Sequence, residues 1–284
     1  VTGDEACYET KGIRLVTTEA EVSWRILLDK AVKEPGTISK AYSAFYGYSL
    51  GNQLLALGQC VSRGIALGPI ATFMGWKEKG RNVKKGEKAL TLCMPVTCKR
   101  KETDSAGQEV EAATFTRFIF KPRWFVLAQT EGLDVPVTEI PDWNREQALK
   151  ALDIQELEFA ELDGNVQGYA IRRAISISPV AGLPHKTRFH EMAHIVLGHT
   201  LESEMLNTGD MTPRDIREVE AECVALICLE VLQLPGTIEA RGYVQHWNQG
   251  NTAINDKSAQ RILKAADVIL KAGRAMVEKT GRSD

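Results

Sequence analysis

The chain has 284 residues, with 35 Lys and Arg against 37 Asp and Glu, 44% apolar residues and five histidines. This length supports one or two cores, and the composition is that of a soluble globular protein, excluding disordered, collagen-like and disulfide-framed classes. No apolar run reaches the roughly eighteen residues that a membrane-spanning helix needs, and Val1-Thr2-Gly3-Asp4-Glu5 has neither the basic nor the apolar region of a secretory signal.

The near-neutral balance hides an asymmetry. Residues 1–135 carry 19 Lys and Arg against 15 Asp and Glu (+4), and the remainder 16 against 22 (−6), so the two halves are expected to meet different partners. The six cysteines, at 7, 60, 93, 98, 223 and 228, form no CxxC pair or disulfide-dense pattern, which predicts reduced thiols in a cytoplasmic protein.

In chain order, Thr18-Glu19-Ala20-Glu21 reads as a capping box, and Val22, Leu27, Leu28, Ala31 and Val32 give helical spacing up to Pro35-Gly36. A second helix is predicted from about Ser39 to Arg63-Gly64, interrupted in composition by Gly47 and Gly51. Within it the amides Asn52 and Gln53 lie in an apolar stretch and need partners. From Phe73 to Lys88 six basic residues stand against two acidic ones, with Trp76 and three glycines among them. Cations beside an aromatic ring suit single-stranded nucleic acid, the lysines tracking phosphates and the ring stacking on bases; a solvated turn is the competing reading.

Strands are predicted at Ala89–Val96, Thr114–Phe120 and Arg123–Leu127, with a polar hairpin loop from Lys99 to Glu111. The segment Glu131–Asp142, with two prolines, reads as a linker. The expected organisation is α+β with two domains: a small helix-plus-antiparallel-sheet domain over 1–135, and a mainly helical domain with a short sheet over 136–284. The second opens with a helix near Arg145–Leu152 and short strands at Tyr169–Ile171 and Ala174–Ser178. A strand just before the next helix is where a zinc peptidase takes an extended substrate by edge addition.

That next helix, residues 186–200, carries His190-Glu191-Met192-Ala193-His194. At 3.6 residues per turn the two imidazoles stand one turn apart and can reach one cation. This is the HExxH arrangement of zinc peptidases. Glu191 can accept a proton from water while Zn2+ polarises a carbonyl. A catalytic site of this kind uses three protein ligands. Gly198 and His199 do not fit the metzincin spacing from His190, which leaves His199 as a cap or supporting donor. A glutamate on the helix after Thr212-Pro213 is then expected. Glu218 and Glu222 share a face, and Glu222 is preferred because it adjoins the apolar run Cys223–Ile227, with Glu218 as second choice or as an orienting group. Glu220 is expected on a salt-bridged surface. A closing helix is predicted over about Ser258–Glu278, and Tyr243 and His246 are downstream candidates for an oxyanion helper.

With these pieces in place the chain resembles the ArdC family of plasmid antirestriction proteins along nearly its whole length. The resemblance is carried by Tyr48–Leu55, by Trp76 with Gly80–Lys88, by Phe125–Gly132, and by His190–His194, Gly198-His199 and the Glu218–Glu222 helix in that order. It implies a single-stranded DNA-binding domain followed by a gluzincin-like zinc metallopeptidase domain, in a protein that shields incoming DNA from host restriction during conjugation. It also implies DNA contacts at Trp76, Arg81, Lys84, Lys85 and Lys88, with Asn52 at a matching position. Double-stranded DNA stays open as a partner. Two rival readings remain: a zinc protease acting on a host regulator or restriction component, and a DNA-occluding protein whose metal is structural.

Overall fold

The computed structural model describes residues 23–103, 109–136, 138–161, 164–202, 212–249 and 254–274, with 99–103, 109–113, 202 and 246–249 described by their backbone alone. The capping box at Thr18–Glu21, the hairpin tip around Asp104–Gly107, most of the acidic loop after Glu202, the end of the last helix and the His246 side chain lie outside the described residues.

The chain begins with α1 (Trp24–Lys33), α2 (Thr37–Ala44) and α3 (Leu50–Arg63). The single helix expected from Ser39 to Arg63 is two helices, because the backbone turns through a left-handed Gly47 (φ 94°). Gly51 has a different function: a Cβ there would lie 2.6 Å from the Trp24 ring, so glycine lets α1 and α3 close on each other. Next come β1 (Ile70–Thr72), α4 (Phe73–Glu78), β2 (Arg81–Val83), β3 (Leu90–Thr103), β4 (Glu109–Val126) and β5 (Thr130–Gly132). The two strands expected over 114–127 are one, β4, and the strands run on through most of the expected loop. The sheet order is β1-β4-β3, all antiparallel, while β2 and β5 form a separate pair.

The second half contains α5 (Arg145–Ala151), β6 (Gln155–Leu157), β7 (Gly168–Ile171), β8 (Ala174–Ile177), α6 (Pro184–Val196), α7 (His199–Glu202), α8 (Arg214–Leu232), α9 (Thr237–Gln249) and α10 (Asp256–Ala272). Neither β6 nor α9 was expected from the sequence. The strand immediately before α6 is β8, and it lies between β6 and β7 with both edges paired, so it offers no edge for an added substrate strand.

α8 is the axis of the molecule. Every residue from Val219 to Glu230 is buried, because α2, α6, α9 and α10 surround it. The buried apolar side chains form one continuous cluster from Leu28 to Leu270, crossing the boundary expected at residue 135. Two polar ties reinforce that seam. Asp256 at the start of α10 accepts from the Ser23 hydroxyl (3.0 Å) and the Arg25 amide (2.7 Å). Glu230 on α8 accepts from the Ile38 amide at 3.1 Å, capping α2, whose own N-cap residue is glycine. Among the described residues no helix is long and apolar enough to cross a membrane.

Candidate metal centre

Helix α6 starts at Pro184, where proline's missing N–H is no loss, and packs its buried Phe189, Met192, Ala193 and Ile195 into the core. This fixes its rotation, so that His190 and His194 face α8. Their Nε2 atoms lie 3.0 Å apart. Glu218 of α8 brings Oε2 to 3.3 Å from His190 Nε2 and 3.7 Å from His194 Nε2. Ligands about 2.1 Å from a tetrahedral ion stand about 3.4 Å from one another, so the three atoms have the spacing of a three-ligand site.

Glu222, the preferred third ligand from the sequence, does not take that corner. Its Oε2 lies 3.0 Å from Nδ1 of His190, on the ring edge facing away from Glu218, and its Oε1 meets Lys186 Nζ at 2.7 Å. Sequence reasoning picked the acid that adjoins the apolar run, and Glu222 is indeed buried, as is Glu220. Depth instead marks the carboxylate that supports a ligand, while the half-exposed Glu218 reaches the gap between the imidazoles.

His194 is supported on its far side as well. The chain turns at Gly198, bringing His199 Nδ1 to 3.0 Å from His194 Nδ1; His199 Nε2 in turn lies 2.9 Å from Glu220 Oε2. Glu220, expected at a surface, is fully buried, with Arg261 3.6 Å from the same oxygen. His199 was expected as a cap or supporting donor, but its partner Glu220 was not; the only sequence signal for the pair is a third histidine just past the helix end and a third acid in the Glu218–Glu222 run.

One proton assignment satisfies these contacts together. His190 Nδ1–H donates to Glu222, His194 Nδ1–H donates to His199, and His199 Nε2–H donates to Glu220. Both Nε2 lone pairs then point at the Glu218 carboxylate, and three acceptors share one small space. That donor set fits a divalent cation.

The electrostatics without an ion agree. Burial pushes His190 down, but hydrogen bonds with Glu218 and Glu222 and the charges of Glu191 and Glu222 outweigh it, raising its pKa to about 9. Glu218 is held well below the usual carboxylate range by its bonds to His190 and His194. Burial lowers His199, which stays neutral and able to relay. Burial also raises Glu191 against the opposing pull of His190 and His194, so a buried base sits beside the imidazoles.

The expected DNA contacts are placed differently. Trp76 is 1% exposed, and its indole donates to the Phe125 carbonyl at 2.8 Å, so it is a core residue and offers no face for stacking. Arg81 spends its guanidinium on β5 and the residue after it, reaching the Thr130 hydroxyl (2.7 Å) and the carbonyls of Thr130, Gly132 and Leu133. Asn52 makes a two-way pair with the Cys93 backbone, 2.8 Å in each direction, and Gln59 does the same with Thr91. These amides close the outer edge of β3, which would otherwise present bare backbone groups. Lys85 and Lys88 are exposed, as are Lys77 and Lys79; Lys84 is exposed too, though its ammonium reaches the Ala128 carbonyl at 2.9 Å. The basic face therefore survives with its lysines and loses its tryptophan, arginine and asparagine to structure.

Residues 19–123 match the family described as the N-terminal domain of anti-restriction factor ArdC. Two crystal structures of the antirestriction ArdC protein from R388 plasmid share the fold. The metal-free form aligns with a TM-score of 0.50 at 19% identity, over 88% of this chain and 94% of that one. The Mn(II)-bound form aligns with a TM-score of 0.51 at 18% identity, over 90% and 100%. No curated protein sequence matches the chain.

Proposed function

Since the chain belongs to the ArdC family, whose N-terminal domain it carries, we propose that it is an antirestriction protein that binds single-stranded DNA and holds one divalent ion at His190, His194 and Glu218. The observation that carries the metal reading is the convergence of three acceptor atoms, each histidine being held on its other nitrogen by a supporting group. Two imidazoles and a carboxylate suit Zn2+, our choice on donor chemistry, and also Mn2+, the ion named for the R388 relative of this fold.

A bound ion would supply Lewis acidity, polarising a carbonyl and acidifying water. The chain's own groups account for the remaining steps of a peptidase reaction. Glu191, buried and raised above the normal carboxylate range, takes a proton from the attacking water and returns it to the leaving amine. Glu222 and the His199–Glu220 relay hold both imidazoles in the tautomer that leaves Nε2 free. Lys186 pairs with Glu222 Oε1 at 2.7 Å, and its ammonium lies 5.8 Å from the Tyr243 ring centroid. The exposed lysines of the 77–88 block would track phosphates of incoming DNA in the cytoplasm.

Glu191→Gln tests which half of the molecule protects. It removes the proton carrier and leaves the three ligand atoms in place. If unmodified DNA is still protected while the ion stays bound, occupation of DNA suffices. If protection and hydrolysis of a restriction component disappear together, protection depends on a peptidase.

A further inference from the structure

With Trp76 buried, the ring expected to stack on bases is lost; Phe73, 45% exposed with Lys77 Nζ 5.4 Å from its centroid, remains beside the basic block, and the structure provides two more exposed rings elsewhere. β3 and β4 pair continuously from Leu90↔Trp124 to Thr103↔Glu109, a ribbon of about 45 Å at the usual rise per residue. Its inner end is anchored to α3 by Asn52 and Gln59. Farther out it leaves the body, and every residue from Thr114 to Phe118 is exposed. Two phenylalanines stand there with no packing role to explain them, Phe115 at 51% and Phe118 at 66% exposure.

Their surroundings are basic. The paired segments 91–98 and 115–122 contain Arg117 and Lys121 and no acidic residue, with Arg123 next in the chain; the acidic residues of the ribbon, Glu102, Glu109 and Glu111, lie beyond them toward its outer end. Register and alternation put Phe115, Arg117, Ile119 and Lys121 on one face, across from Cys98, Val96, Met94 and Leu92, while Phe118 stands on the other face opposite Pro95. An apolar ribbon seeking a protein partner would have no need of cations alone beside its exposed rings. Rings alternating with cations match a polyanion whose bases are unpaired, because stacking needs an open base face.

We infer that the β3–β4 ribbon is the element on which bases of single-stranded DNA stack, with Phe115 beside Arg117 and Lys121 on one face and Phe118 on the other. This rests on the DNA-binding reading and assigns it an aromatic contact separate from the 77–88 block.

The test is fluorescence anisotropy of the full chain with a labelled oligodeoxythymidine of about 20 nucleotides and with a duplex of equal length. Phe115→Ala with Phe118→Ala is expected to weaken the single strand at least tenfold, to leave the salt slope unchanged because no cation is lost, and to affect the duplex little. Phe118→Trp is expected to keep the affinity and to add emission that the oligonucleotide quenches. Arg117→Glu with Lys121→Glu is expected to flatten the salt slope.

If the double alanine variant, with an unchanged circular dichroism spectrum, binds as tightly as the wild type while Lys84→Glu with Lys85→Glu weakens binding, the ribbon inference is overturned and the DNA reading stands. If the wild type binds no oligonucleotide, both fall. If the wild type sediments as a dimer, and the alanine variant as a monomer with unaltered DNA affinity, the ribbon is a contact between copies and the inference is again overturned.

Discussion

Two imidazole lone pairs and a carboxylate oxygen, 3.0 to 3.7 Å apart, repel one another unless positive charge stands among them. A proton on His190 supplies it in the metal-free protein, and a divalent ion supplies more. From this follows a graded prediction for the acids of α8. Glu218→Gln removes a ligand, and metal content after dialysis should fall from one ion per chain to near none. Glu222→Gln and His199→Ala leave the ligands and disturb only their support, so one ion is retained with affinity lower by about 10- to 100-fold in a chelator competition. The sequence made the two histidines legible because helix geometry fixes i and i+4 without reference to the rest of the chain. The third corner was not legible. Glu218 and Glu222 share one face, and which of them reaches the imidazoles depends on where along its length α8 meets α6, a property of tertiary packing.

At the scale of elements, sequence and structure agree on the helices around the site and part company over the basic block. Residue types announce cations and a ring there, but β2 pairs with β5, turning Arg81 onto main-chain carbonyls, while α4 buries Trp76 against β4. Such use of a side chain depends on a partner some fifty positions away, which local pattern cannot supply. Trp76→Ala should accordingly behave as a core deletion, lowering stability to urea by about 3–5 kcal/mol, with DNA affinity of the folded fraction retained. The cap of α2 is a second long-range device. Glu230 supplies the acceptor that Gly36 lacks, and it also pairs with Arg241. Glu230→Ala should cost about 3 kcal/mol, since it uncaps a helix and strands a largely buried guanidinium together, whereas Glu230→Gln, which can still cap, should cost less. Urea titration of both variants measures the difference.

Over the whole molecule, the two-proline segment Glu131–Asp142 suggested a linker between two domains, yet the buried side chains run from α1 to α10 without a break. α1, α2 and α3 use α8 and α10 as part of their own packing surface. Composition and the two prolines near residue 135 report a change in surface chemistry, and carry no information on whether the interiors are joined. Calorimetry should therefore give one cooperative unfolding transition for the full chain, and a fragment ending at residue 135 should be markedly less stable than the same residues in the intact protein. Two resolved transitions, the first coinciding with that of the fragment, would mean that the halves fold independently.

The central claim is tested most directly by anomalous scattering at the metal edge from crystals grown with Zn2+ or Mn2+. The account predicts a single peak about 2.1 Å from Nε2 of His190, Nε2 of His194 and a carboxylate oxygen of Glu218, with Glu222 still bonded to Nδ1 of His190. No peak among these side chains, or a peak bound by Glu222 with Glu218 turned away, would contradict it.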